Sequence, residues 1–300
     1  MSRLLPVLAM LGAILLWSTT APGTKFALQF AGVWEIVVFR IALAALAVWT
    51  LVLLTYGFIN LRRVGPWPFV MGILEPGMVT VFLVSGVAHT SAVNGAVVWG
   101  VLPVTQPVLA RLILKEPLRP TVAIGAVLAV SGAALLFASK QADGSGNLYG
   151  DLLLVGAVVS AACNQLLARR VAQRQRNPIV VTGCQMATAS VIALALFVLN
   201  VEPATAYEGM TIGVFALLCY LALTTAGPFL LYNFALQHLP VGPISLFAPL
   251  VGPLGALWAA LLLHDVVSPI GLAAIGIILT GALLPTVIPM LARRRENPAE

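Results

Sequence analysis

Two stretches decide the fold: residues 114–136, LKEPLRPTVAIGAVLAVSGAALL, and residues 263–285, LHDVVSPIGLAAIGIILTGALLP. Laid over one another they hold one offset of 149 residues without a gap. Lys115-Glu116 falls on His264-Asp265, Pro120 on Pro269, Gly132-Ala133 on Gly281-Ala282 and Leu135 on Leu284. Upstream, His89 falls on His238 at the same offset. Apolar segments match by chance because they draw on few residue types, but chance does not hold a register through polar punctuation. A weaker match joins Gly12-Ala13-Ile14-Leu15 to Gly156-Ala157-Val158-Val159. The chain reads as two related halves.

Outward from these stretches, the composition names the solvent. Of the 300 residues, 60% are apolar and 9% charged, against about a quarter charged in a soluble domain. A globule of this size has too few charges here to face water, so the chain faces lipid. A crossing needs about 20 mainly apolar residues, and ten segments of that kind can be placed, at about 4–28, 34–56, 68–89, 93–114, 119–139, 148–172, 179–200, 211–238, 241–263 and 269–291. The fold class expected is an all-α polytopic membrane protein, ten transmembrane helices as two inverted five-helix repeats. The halves cover 1–141 and 148–291, with 292–300 as a cytoplasmic tail. Five is an odd number, so the second half lies upside-down relative to the first. Inverted halves are how many secondary transporters place one midplane site and open it to each side in turn.

The net charge of +6 is not a nucleic-acid signal, because Lys and Arg sit in short clusters between apolar segments. With the N-terminus inside, thirteen fall on inner segments, while Lys25 and Lys140 fall outside and Arg40 lies within the second helix. This bias puts both termini in the cytoplasm of a bacterial inner (cytoplasmic) membrane, multi-pass, with the first segment kept as a helix rather than removed as a leader. Cys163, Cys184 and Cys219 all lie in apolar stretches and read as packing residues, not as a disulfide or metal set. No cofactor and no metal is expected. His89, His238 and His264 fall at helix ends without ligand spacing, and no nucleophile motif, like-charge ring or phosphate-binding loop appears. An enzyme, a passive channel and an ATP-driven pump all fit less well than a secondary transporter.

The run His89, a proline-bearing apolar helix, Leu114-Lys115-Glu116-Pro117-Leu118, Gly125 and Ser131-Gly132, with Trp17 and Phe39-Arg40 upstream, resembles the repeat of the drug/metabolite transporter superfamily, EamA family. The resemblance covers nearly the whole chain. It implies a basket-shaped ten-helix bundle with a central cavity and export of small metabolites or drugs. Through Glu75-Pro76-Gly77 the chain most resembles the YddG-type exporters of aromatic amino acids, which implies aromatic or hydrophobic amino acids as cargo. Purines, other metabolites and cationic drugs are the alternative. The second half departs from the pattern: Asp265 stands where the first has Glu116, and Gln185 sits roughly where Arg40 stands in the first.

Polar groups in lipid are costly and should face a cavity or each other. Trp17, near the middle of the first helix, and Trp99, in the outer half of the fourth, are candidate substrate-binding residues or plain packing. Met78, Asn164, Gln185, Tyr220 and Asn233 are further candidates, against interhelical hydrogen bonding worth about 0.6 kcal/mol on average. Arg40 and Glu75 are the clearest intramembrane charges. Arg40 is expected either to pair with Glu35 as an anchor or to attract a substrate carboxylate. Glu75, before Pro76, is expected to cap structure, to act in a hinge, or to exchange protons as the coupling ion. Pro76, Pro103, Pro107, Pro228, Pro249 and Pro253 mark the third and fourth and the eighth and ninth helices as gates, while Gly125, Ala129, Gly132, Gly276 and Gly281 make the fifth and tenth close-packed braces. The expected partners are a small-molecule substrate and the lipid bilayer, not nucleic acid.

Overall fold

The structure is a computed structural model that describes residues 4–59, 64–142, 144, 146–172, 177–202, 207, 210–238, 248–265 and 267–296. Most of the described residues are helical, with no strand among them. Nine helices among them are long and apolar enough to cross a bilayer, and a tenth, apolar and shorter, completes the set. They are α1 (Leu4–Ala27), α2 (Val33–Tyr56), α3 (Trp67–His89), α4 (Ala92–Leu114) and α5 (Pro120–Ala142) in the first half. The second half holds α6 (Leu148–Ala172), α7 (Pro178–Asn200), α8 (Ile212–His238), α9 (Val251–Leu263) and α10 (Pro269–Glu296). The first stretch of the expected ninth helix, 241–247, lies outside the described residues.

The 149-residue register survives in the backbone. In α4 a tight 3-10 turn at Val98–Val101 precedes a helix over Leu102–Leu114, which ends on Lys115 in the left-handed conformation (φ 58°). In α9 a 3-10 turn at Ala248–Leu250 precedes Val251–Leu263, which ends on left-handed His264 (φ 53°). The amide N–H of Glu116 then closes onto Ala110 O and that of Asp265 onto Ala259 O, each at 3.4 Å. The same local sequence logic has produced the same cap twice, satisfying carbonyls that a helix end leaves open.

Neighbour relations follow the same symmetry. Helices α2 and α7, α4 and α9, and α5 and α10 pack as matched pairs, and α1 packs on α8 as α6 packs on α3. The α5–α10 pair is antiparallel and very close. A Cβ on Gly125 would stand 2.5 Å from Gly281 O, one on Gly281 equally far from Gly125 O, and one on Gly132 2.9 Å from Ala274 O. Small residues let two backbones meet in a medium where apolar burial gives no drive of its own. Gly276 differs from this expectation: it has nothing within 4 Å and is no part of the contact.

The bundle is packed unequally along its length. At the end holding Lys140, here the Lys140 end, every residue of α4 from Ala92 to Val98 is buried. Gly95 lies against Val87 and Ala21, and Gly255 of α9 against Ala96 and Ser18 O. Toward Arg111, only Val104 and Ala110 of the Leu102–Leu114 segment are buried. Thr105 to Leu109 are each partly exposed, and five successive residues cover every face of a helix. Among the described residues, α4 is thus packed more loosely toward the Arg111 end than at the Lys140 end.

Candidate functional site

Three polar or aromatic clusters stand inside the bundle. The first is built on a break in α3. Glu75 has φ −145° and ψ 121°, inside an otherwise helical span. Proline disfavours the helical conformation in the residue before it, and the Glu75–Pro76 bond is cis. Gly72 lets the broken segment lie on α7, since a Cβ there would be 2.4 Å from Gln185 O. Polar side chains from α6 and α7 then meet the freed groups. Asn164 Nδ2 donates to Glu75 Oε2 at 2.8 Å, Gln185 Nε2 to Glu75 O at 3.2 Å, and Ser160 Oγ to Leu74 O at 2.9 Å. Asn164 and Gln185 are buried and Glu75 is partly exposed. The Asn164 Oδ1 atom is buried without any hydrogen-bond partner.

The second cluster holds Arg40, which is 2% exposed. Its Nε donates to Thr225 Oγ1 at 2.9 Å and its Nη1 to Thr24 Oγ1 at 3.1 Å. Each threonine donates its single hydroxyl proton to its own helix, Thr24 to Thr20 O and Thr225 to Leu221 O. Both hydroxyls are thereby fixed as acceptors toward the guanidinium. No carboxylate pairs with Arg40 among the described residues. The expected Glu35 pairing is corrected: Glu35 accepts from Gly32 N at 2.6 Å and from Tyr207 N at 3.0 Å. Five residues along a helix turn about 140° past a full turn, so Glu35 and Arg40 face different ways. Burial and then the Glu35 carboxylate push the Tyr207 phenol up to about 12.

The third cluster is aromatic. Trp17 lies edge-on to Phe229, with centroids 5.7 Å apart, and tilted against Tyr232 at 5.5 Å. Close by on α1, Thr19 donates to Leu16 O, so Tyr220 OH donates to Thr19 Oγ1 at 2.6 Å. The second and third clusters share two helices. Thr24 and Trp17 are seven residues apart on α1, about 10 Å, and Thr225 and Phe229 four apart on α8, about 6 Å.

The other expected site residues fall elsewhere. Trp99 is packed against an apolar cluster of α1, α3, α4 and α6 residues. Met78 is 38% exposed, and the side chain of Asn233 lies outside the described residues. Pro103 occupies the first turn of a new helical segment, where its missing N–H costs nothing. Pro107 lies inside that segment, Pro249 in the 3-10 turn before α9, and Pro253 in the first turn of α9.

Sequence reasoning missed the seal at the Lys140 end. Lys140 Nζ meets Asp265 Oδ1 at 2.6 Å, the side chains 3% and 15% exposed. Asp265 Oδ2 accepts from Val93 N at 3.3 Å. Asp151, 1% exposed, accepts from Thr90 Oγ1 at 2.8 Å, Asn94 Nδ2 at 2.7 Å and Gln141 Nε2 at 3.3 Å. Lys25 Nζ donates to Val87 O and Thr90 O. An acid in the first turn of α6 was the available signal for Asp151. An apolar cavity of about 280 Å³ lined by Phe26, Phe30 and Val214 lies at this end, away from the three clusters.

Residues 4–138 and 148–287 each match the EamA-like transporter family. The chain belongs to that family. Its EamA relatives include the uncharacterized transporter YyaM of Bacillus subtilis (strain 168), 27% identical over 219 residues that cover 71% of each chain. A second, the uncharacterized transporter YcxC of the same organism, is 27% identical over 152 residues, 50% of this chain and 49% of that one. A crystal structure of a protein 22% identical in sequence superposes with a TM-score of 0.67 over 99% of this chain and all of the other; it shares the fold. The chain is thus an EamA-family multi-pass membrane transporter, and its cargo is a small molecule.

Proposed function

We propose that this EamA transporter exports aromatic or hydrophobic amino acids across a bacterial cytoplasmic membrane, by alternating access through a central cavity. The observation that carries the reading is the shared wall of α1 and α8. Arg40, buried and without a carboxylate partner among the described residues, is held by Thr24 and Thr225, which lie one to two turns along α1 and α8 from Trp17, Phe229 and Tyr232. A carboxylate on the guanidinium would leave an aromatic side chain within reach of those rings. Ring contacts of this kind contribute about 0.5–1.5 kcal/mol each beyond burial, weak enough for release. Arg40 disfavours cationic drugs as cargo, since two like charges would meet in a poorly solvated site.

In this reading both termini are cytoplasmic, the Lys140 end faces outward and the Arg111 end faces the cytoplasm. The halves 1–141 and 148–291 move about the α5–α10 brace. Pro76, Pro103, Pro107, Pro249 and Pro253 flank the segments that bend. Protons are the coupling ion. The test is uptake of radiolabelled phenylalanine and tryptophan into proteoliposomes, with and without a pH gradient, beside Trp17→Ala. Saturable uptake that weakens in the variant is expected; no uptake of either by correctly inserted protein would sink the amino acid reading.

A further inference from the structure

We infer that Glu75 and Asn164 form a proton-binding site, in which a protonated Glu75 carboxyl and the Asn164 carboxamide close a two-bond ring between α3 and α6. The inference deepens the coupling part of the proposed function and rests on it for its consequence in transport, though not for the site itself. The starting point is an unmatched atom. Asn164 is 4% exposed, its Nδ2 donates to Glu75 Oε2 at 2.8 Å, and its Oδ1 has no donor. A buried acceptor left without a donor costs about 1–3 kcal/mol. A carboxylate accepts only, so an ionised Glu75 has nothing to give it. A carboxylic acid presents a donor and an acceptor side by side, as a carboxamide does. One proton on Oε1 therefore supplies the missing donor, and the pair is held by Asn164 Nδ2–H to Oε2 and Glu75 Oε1–H to Oδ1.

The surroundings favour a proton over a metal cation. A cation such as a Mg²⁺ or Ca²⁺ ion takes six or more oxygen ligands, on general grounds. The carbonyls next to Glu75 are already engaged: Leu74 O accepts from Val79 N and Ser160 Oγ, and Glu75 O from Gln185 Nε2. A proton needs the single free acceptor that is there. Nearby charge does not oppose it. The titratable groups on the elements packed against the break are Cys184 on α7, Cys163, Tyr149 and Asp151 on α6, and His89 at the far end of α3. Asp151 and His89 belong to the Lys140 end, and the side chains of Arg169 and Arg170 lie outside the described residues. No basic group pairs with Glu75 among the described residues.

The ring also gives the proton a structural effect. Glu75 is the residue at which α3 leaves helical geometry. Proton loss removes one of the two bonds to α6, the side-chain tie closest to the break, and places a charge there.

Infrared difference spectra of the full-length protein in lipid, recorded from acid to alkaline pH, test the site without any cargo. Expected is the carbonyl band of a protonated carboxylic acid that titrates, disappears in Glu75→Gln and shifts in Asn164→Ala, where the acid survives but its amide partner does not. A merely structural Glu75 would give no such band. Its absence from the wild type at every pH, or its persistence unchanged in Glu75→Gln, overturns the inference. The transport arm uses phenylalanine with an imposed pH gradient: accumulation in the wild type that Glu75→Gln abolishes supports coupling through this site, and accumulation unchanged in Glu75→Gln overturns it. If the acid band is present and lost as expected while phenylalanine does not move, the proton site stands and the cargo reading falls.

Discussion

At the scale of the residue, Arg40 is held from two helices at once. Its guanidinium is fixed by two hydroxyls whose own protons are committed elsewhere. Lysine keeps the charge but loses the planar fork. A hydrogen bond to a charged group is worth about 1.5–3 kcal/mol, so Arg40→Lys should raise the half-saturation concentration for phenylalanine by about tenfold or more, measured as initial uptake against concentration. Inhibition by the decarboxylated amine should not change, because that compound has no carboxylate to lose. Tyr207 carries a second residue-scale expectation. Its folded pKa, pushed up to about 12, lies above the unfolded value of about 10. The neutral phenol is the native form, donating to Glu35 O at 3.0 Å. Its contribution to stability is therefore complete below about pH 10 and lost as pH rises toward about 12. Tyr207→Phe should abolish that part of the alkaline loss in a pH series of thermal melts. Neither arrangement was legible in sequence. Thr24 and Thr225 lie 16 and 185 residues from Arg40, and threonine in an apolar helix carries no mark of its partner.

At the scale of the element, α5 and α10 behave as the sequence predicted, and the structure separates the glycines that matter. Gly281→Ala would drive a Cβ to 2.5 Å from Gly125 O and 2.7 Å from Ala129 N. Backbone cannot yield as a side-chain tip does, and overpacking costs about 1–3 kcal/mol. Gly276→Ala meets nothing within 4 Å and should be neutral or gain up to about 1 kcal/mol from helix propensity. Unfolding of the two variants in detergent compares them directly. At the Lys140 end, Asp265→Asn leaves Lys140 without its carboxylate, a change that costs up to about 3–5 kcal/mol in a buried pair. The double change Lys140→Met with Asp265→Met should recover most of that loss in a double-mutant cycle. The first-half counterpart of Asp265 is Glu116, which is exposed and makes no ion pair among the described residues. The two repeats thus share a cap and differ in what the acid beside it holds.

At the scale of the whole molecule, the described part of α4 is packed tightly at the Lys140 end and more loosely toward Arg111, which in the proposed alternating cycle corresponds to a state closed at the Lys140 end. If that end faces outward, single cysteines replacing Gln141 and Arg119 in a cysteine-free background should be labelled from opposite sides of the membrane by an impermeant maleimide, Gln141 from outside. Labelling of Gln141→Cys from the cytoplasm would reverse the orientation. The ten helices, the two halves and the 149-residue register were set by local causes: crossing length, the polar breaks, and the proline and capping positions around Lys115 and His264. These act within a few residues, so sequence alone determined them. The site was decided by tertiary structure. Glu75 meets Asn164 across 89 residues, and Lys140 meets Asp265 across 125. A uniformly apolar helix gives no periodic signal for which face turns inward, because lipid and protein interior are equally apolar. Only the packing of one backbone on another shows which of its few polar side chains meet.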